Sequence, residues 1–142
     1  ISLLRSSENT KTGLGLFVLR IAISIFMVSL HGWHKVNNYS AVLNDFPELI
    51  SLEPRIGLSM AIFAEVFCSL FLAFGLFTRI VAIPLCITMF VAALIFNAEQ
   101  AFIVKEKPLL YFIVYVSLFV MGAGRYSVDR LIVHLLVSRK NH

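Results

Sequence analysis

Apolar residues in this chain fall into four long runs separated by short polar stretches, and their spacing sets the elements to expect. The runs cover Gly13–His31, Leu58–Phe77, Ile80–Phe96 and Leu109–Gly122. The first two approach the ~20 residues a helix needs to cross the hydrocarbon layer. The fourth is short and is expected to open at Pro108, which suits the first position of a helix, and to end just past Gly122. Spans over 13–31, 58–77, 80–96 and 108–123 follow. The tight Phe77-Thr78-Arg79 link makes spans two and three an antiparallel hairpin. After the fourth run, Val128, Leu131, Ile132, Leu135 and Leu136 recur at i, i+3, i+4, i+7 and i+8, with Ser127 placed as N-cap. This predicts an amphipathic helix over 127–138 lying in the membrane interface, with Asp129, Arg130, His134 and Ser138 elsewhere around it. The one long connection, 32–57, carries apolar residues of its own (Val42, Leu43, Phe46, Leu49, Ile50). It is expected to form a cap over the outer mouth, with a short helix in it. The fold class is thus an all-α integral membrane four-helix bundle with a capping outer loop and a C-terminal interfacial helix, as one domain over 1–142.

Composition agrees. The chain has 142 residues, 59% hydrophobic and 14% charged, with a mean hydropathy of +0.89. That is beyond the apolar share of an ordinary soluble domain. A signal-peptide reading of the first run fails, because Arg20 interrupts its centre and three more runs follow. The chain begins at Ile1 rather than Met, which leaves the native N-terminus open. The net charge of +4 does not indicate nucleic acid, since the basic residues sit at span ends. Arg5, Lys11, Arg79, Arg125, Arg130, Arg139 and Lys140 fall on one side, and Lys35, Arg55, Lys105 and Lys107 on the other. This bias places both termini in the cytoplasm.

Two spans carry an ionisable residue well inside them, Arg20 and Glu65. A charge at membrane depth costs roughly 2.5–3.5 kcal/mol on insertion scales, so it faces the bundle interior and finds a partner. An acid and a base in consecutive spans suggest each other. By helical rise, Arg20 lies ~10 Å and Glu65 ~18 Å from the cytoplasmic end, a gap an extended arginine closes in large part. Arg20, Ser24, Met27 and His31 share one face of span one. Ala61, Glu65, Cys68, Ser69 and Leu72 form a similar stripe in span two, and Tyr111, Tyr115, Leu118 and Gly122 in span four. Two readings stay open: a buried ion pair that fixes which helices meet, or a pocket for a quinone-like ring. In the second, Arg20 and His31 donate, Glu65 takes a proton, and the 32–57 connection is a lid.

Other candidate chemistry is thinner. His31 and His34, three apart in H-G-W-H, are weighed against metal or haem, and an interfacial anchor role with Trp33 is favoured. Cys68 and Cys86 lie at similar depths, with buried packing residues favoured over a redox pair. No P-loop, G-x-S-x-G, dinucleotide-binding glycine motif, H-E-x-x-H or C-x-x-C is present, so no self-sufficient catalytic motif is found.

Four blocks together resemble the DoxX family of small four-helix membrane proteins. They are LRIAISIFMVSLHGWHK, with Arg20, His31, Gly32 and Lys35; AEVFCSLFLAFGLFTR, with Glu65, Gly75, Leu76, Thr78 and Arg79; Pro108-Leu109-Leu110-Tyr111; and GAGRYSVDRL, with Gly122, Gly124, Arg125, Ser127, Asp129 and Arg130. His34 departs from the pattern, and 36–57 match nothing in it. The resemblance implies a bacterial-type inner-membrane protein associated with redox systems. Some relatives are the membrane subunit of thiosulfate:quinone oxidoreductase, others are tied to oxidative stress, and more distant ones act as assembly factors. The implied ligand or buried polar cluster is Arg20, His31, Lys35, Glu65, Tyr111 and Tyr115. Gly32, Gly75, Thr78, Arg79, Gly124, Arg125, Ser127 and Asp129 are read as structural. Quinone is the cofactor class this admits, with no metal; the partners are the lipid bilayer and a redox or other membrane-complex protein. The rival is a non-catalytic scaffold or assembly factor. Oligomeric state is left open.

Overall fold

The computed structural model describes residues 2–48 and 51–140, all helix and connection with no strand among them; Leu49, Ile50 and His142 lie outside the described residues. Helix α1 starts at Ser2, runs as regular α-helix to Phe26, widens into a π-helical turn over Met27–Gly32 and continues through Trp33–Asn37. A short helix α2 (Tyr39–Asp45) follows. Helix α3 spans Pro54–Phe74 with a π turn at Phe63–Cys68, and α4 spans Thr78–Phe96, ending in a π turn at Ala92–Phe96. Helix α5 is Phe102–Met121 and α6 is Val128–Lys140.

Three helices, Thr10–Asn37, Pro54–Phe74 and Thr78–Phe96, are long and apolar enough to cross a membrane. At 1.5 Å per residue they measure about 42, 32 and 28 Å, against roughly 30 Å of hydrocarbon. Helix α5 differs from the expectation of a fourth span opening at Pro108. It starts six residues earlier, and Lys105, Glu106 and Lys107 occupy its second turn. The apolar part, Pro108–Met121, is about 21 Å long. Proline is tolerated inside because the carbonyl it leaves without an N–H, that of Val104, belongs to an exposed turn. The helix count is therefore four long helices, of which three span by length and composition.

Successive long helices run antiparallel, so the bundle has two distinct ends. One end gathers the start of α1, the α3–α4 turn, the α5–α6 connection and α6. The other holds the α1–α3 connection and the α4–α5 turn. The core between them is built from Leu16, Met27, Ala64, Cys68, Leu72, Val81, Leu85, Met89, Tyr115 and Leu118. Large apolar side chains cover the outside of the bundle, Leu30 64%, Phe74 65% and Ile80 66% exposed among them. In water this surface would be a liability; lipid is the solvent it fits. On α6 the residues from Arg130 to Arg139 are all exposed, the periodic Leu131, Leu135 and Leu136 among them, so the bundle covers neither face of that stretch. Ser127 caps α6 by accepting from the Arg130 N–H at 3.3 Å.

Candidate functional site

The two intramembrane charges do not meet, which corrects the pairing inferred from sequence. Arg20 is fully buried, and its guanidinium donates to the carbonyl of Ala123 and, at 2.6 Å, to that of Tyr126. The charge of Asp129 also bears on it. The physical reason lies in side-chain direction. Helical Cα–Cβ bonds tilt toward the N-terminus of their helix. Arg20 on α1 therefore reaches toward the start of α1, while Glu65, on the antiparallel α3, points the opposite way. Lys35 and Glu65 are tilted toward each other, and they form the ion pair. Along α1, Lys35 stands about 22 Å from Arg20.

Around Arg20 the motif glycines and polar residues build a closed end. Helix α3 ends at Gly75, whose φ is +69°. The Gly75 N–H bonds the Leu72 carbonyl at 3.0 Å and the Leu76 N–H bonds that of Phe71 at 2.9 Å, a Schellman ending. A Cβ on Gly75 would strike the Arg20 guanidinium and lie 2.6 Å from Ser127 Cβ. The Asp129 carboxylate accepts the N–H groups of Phe77 (2.7 Å) and Thr78 (3.0 Å), capping α4, while the Asp129 N–H bonds the Gly75 carbonyl at 3.0 Å. This cap holds Phe77 at φ +50°, a left-handed conformation that is costly for a residue with a Cβ. Arg79 reaches the Val120 carbonyl, and Arg125 donates to Thr10 Oγ1 at 3.0 Å. The family resemblance marks Asp129 as structural without saying how; its capping of a helix 51 residues upstream has no local signal.

At the other end, the π turns of α1 and α3 pack against each other. Gly32 permits this: a Cβ there would lie 2.6 Å from Val66 Cγ2 and 3.3 Å from the Glu65 backbone. Such turns recur at functional sites because they rotate side chains out of regular register. Here they flank Glu65, which is 1% exposed. One carboxylate oxygen takes Lys35; the other, Oε2, is buried without a hydrogen bond.

The Lys35–Glu65 pair separates two cavities. One, of about 730 Å³, lies beneath the α1–α3 connection. Its wall is almost wholly apolar, with Phe46, Pro47 and Leu52 from the connection and Met60, Ile87, Val91 and Phe96 from α3 and α4. Phe46 and Phe96 meet edge to face at 5.1 Å, so the connection is seated on the bundle. The second cavity, of about 340 Å³, is lined by His31, Lys35, Glu65, Asn97, Lys107 and Tyr111 among others. His31 stands edge-on to Tyr111 at 5.5 Å, and Tyr111 lies 6.2 Å from Tyr115. Tyr115 is fully buried beside Ser69, one turn below Glu65.

Of the six residues singled out by sequence, His31, Lys35, Glu65 and Tyr111 line one region, Tyr115 sits just inside it, and Arg20 belongs to the opposite end. His31 and His34 diverge: His34 is exposed and bonded to Asn38. Cys68 is buried in the core and Cys86 half-buried, both as free thiols. Sequence reading missed Lys107 and Asn97, which carry no periodic signal because they come from the α4–α5 turn and the first turns of α5.

Comparison with known proteins adds three findings. The DoxX family model matches residues 15–98. An uncharacterized protein of Haemophilus influenzae is 30% identical over 128 residues, which cover 85% of this chain and 85% of that protein. No solved structure matches.

Proposed function

The chain belongs to the DoxX family, and on that footing we propose that it is the membrane-embedded, ligand-binding subunit of a redox-associated complex. The ligand class is a flat apolar ring bearing polar oxygens, as in a quinone. The observation that carries this reading is the mainly apolar cavity of about 730 Å³ with the Lys35–Glu65 ion pair, its carboxylate buried, on its wall. That volume lies within the ~300–1,000 Å³ of small-molecule sites, which are mostly apolar with a few placed polar groups. The ring lies between Met60, Ile87, Val91 and the Phe46–Phe96 contact. The Lys35 ammonium has three donors and spends one on Glu65, leaving two for a ring carbonyl. Glu65 Oε2, without a partner of its own, accepts from the hydroxyl of the reduced ring. The α1–α3 connection serves as the lid.

The setting is a bacterial-type inner membrane with both termini cytoplasmic. Arg5, Lys11, Arg79, Arg125, Arg130, Arg139 and Lys140 fall at the Arg20 end, against Lys35, Arg55, Lys105 and Lys107 at the other, in line with the bias for positive residues inside. The electron partner is a second protein of the complex.

Equilibrium titration of the purified chain in detergent with a short-chain quinone analogue, followed by quenching of the single tryptophan, Trp33, tests the reading. Saturable binding is expected, weakened tenfold or more by Glu65→Gln and by Lys35→Met and unchanged by Arg139→Gln. Absence of saturation, or saturation indifferent to both site variants in folded protein, would overturn it.

A further inference from the structure

The smaller cavity has a different chemistry from the larger one, and nothing in the reading above uses it. Its polar groups are predominantly donors or cations. Lys107, Lys35, His31, Asn97 and Tyr111 line about 340 Å³ of space, and Asn97, which donates one amide N–H to the Ala92 carbonyl at 2.7 Å, keeps a second. The charges of Lys35, Lys107 and His34 all bear on His31. The one acid in the lining is Glu65, and Lys35 already neutralises it. Lys107 has no ion pair among the described residues, so the wall carries one positive charge in excess before any protonation of His31. Lys105, two residues away, is committed to the Ala98 carbonyl at 2.6 Å and leaves Lys107 as the free cation of that turn. Ile103 and Val104, 74% and 44% exposed in the first turn of α5, also belong to the lining.

We infer that this second cavity is a binding site for a small oxyanion of the phosphate type, held by Lys107 and His31 with Tyr111 and Asn97 as neutral donors. A compact tetrahedral anion fills part of such a space and accepts from several donors at once, and a charge-assisted hydrogen bond from a lysine is roughly twice as strong as a neutral one. Two sources carry that chemistry: the phosphodiester of an anionic membrane lipid, whose headgroup would sit at the membrane interface, and a free inorganic anion entering from the aqueous side. The site does not depend on what fills the apolar cavity.

Two arms test the inference and separate the sources. In the first, the purified full chain in detergent is titrated calorimetrically with inorganic phosphate. In the second, lipid retained by the chain is measured by native mass spectrometry after extraction from bilayers of equal phosphatidylglycerol and phosphatidylcholine. Saturable phosphate binding without lipid preference supports the site with a free anion. Selective retention of phosphatidylglycerol supports it with a lipid headgroup. In either case Lys107→Gln and His31→Phe are expected to weaken binding at least tenfold, while Arg139→Gln, which removes the same charge from α6, leaves it within twofold. Lys107 is exposed and His31→Phe keeps the ring packed on Tyr111, so both variants are expected to fold. No saturable binding in either arm would overturn the inference, as would equal weakening by Lys107→Gln and Arg139→Gln, since that is non-specific attraction to net charge.

Discussion

The two ends of this bundle each bury a charge, and they treat it in opposite ways. At one end the Arg20 guanidinium is enclosed by backbone: the Ala123 and Tyr126 carbonyls receive it, Gly75 presses against it, and Asp129 ties the neighbouring turn together. None of the cavities described opens there. At the other end Glu65 meets a lysine whose side chain is 23% exposed, keeps one oxygen without a hydrogen bond, and stands between two cavities. A buried charge whose donors are absorbed by the chain is a fastener. One left with spare capacity beside open volume is a candidate for chemistry, because unspent hydrogen-bonding groups in a low-dielectric site interact strongly with whatever enters.

If that contrast is right, mutations at the two ends part company. Arg20→Met should have the largest effect on stability. It leaves the Ala123 and Tyr126 carbonyls without their donor and removes the cation facing Asp129, and removing one partner of a buried charged network costs about 3–5 kcal/mol; unfolding in mixed detergent–SDS micelles would register it. Gly75→Ala comes next, at about 2–3 kcal/mol, because it combines a left-handed backbone with a collision against Arg20 and Ser127. Asp129→Ala removes the α4 cap and should cost about 1–2 kcal/mol by the same assay, with amide exchange at Phe77 and Thr78 rising first. Glu65→Gln should be the mildest, at about 1 kcal/mol, since it removes a carboxylate whose burial is itself costly and leaves behind a lysine side chain that is 23% exposed. Were Glu65→Gln as damaging as Arg20→Met, both charges would be fasteners and the distinction between the ends would fail.

Much of this was legible in the chain itself. The first three spans, the α3–α4 hairpin, the N-cap at Ser127 and the inward stripes follow from run length, turn residues and helical period. Arg20, Ser24 and Met27 are buried on the face their spacing assigns. The partner of each charge was not legible from depth alone. Arg20 and Glu65 are close enough by rise to suggest a pair, and the tilt of helical side chains, read in antiparallel helices, sends them apart. Lys35 entered as a motif residue near a span end, where a topological role hides a specific one. The π turns at Met27–Gly32 and Phe63–Cys68 have no sequence signature, and they bring Gly32 against Glu65.

By itself the sequence determined that this chain lives in a membrane as antiparallel helices, because apolar run length and helical period are local properties that lipid reads directly. Only the tertiary structure decided which buried charge is spent and which is free. That depends on what lies opposite each side chain: carbonyls of a connection 103 residues away for Arg20, and a lysine between two cavities for Glu65. Such neighbours are fixed by how whole helices pack, and no local pattern encodes them.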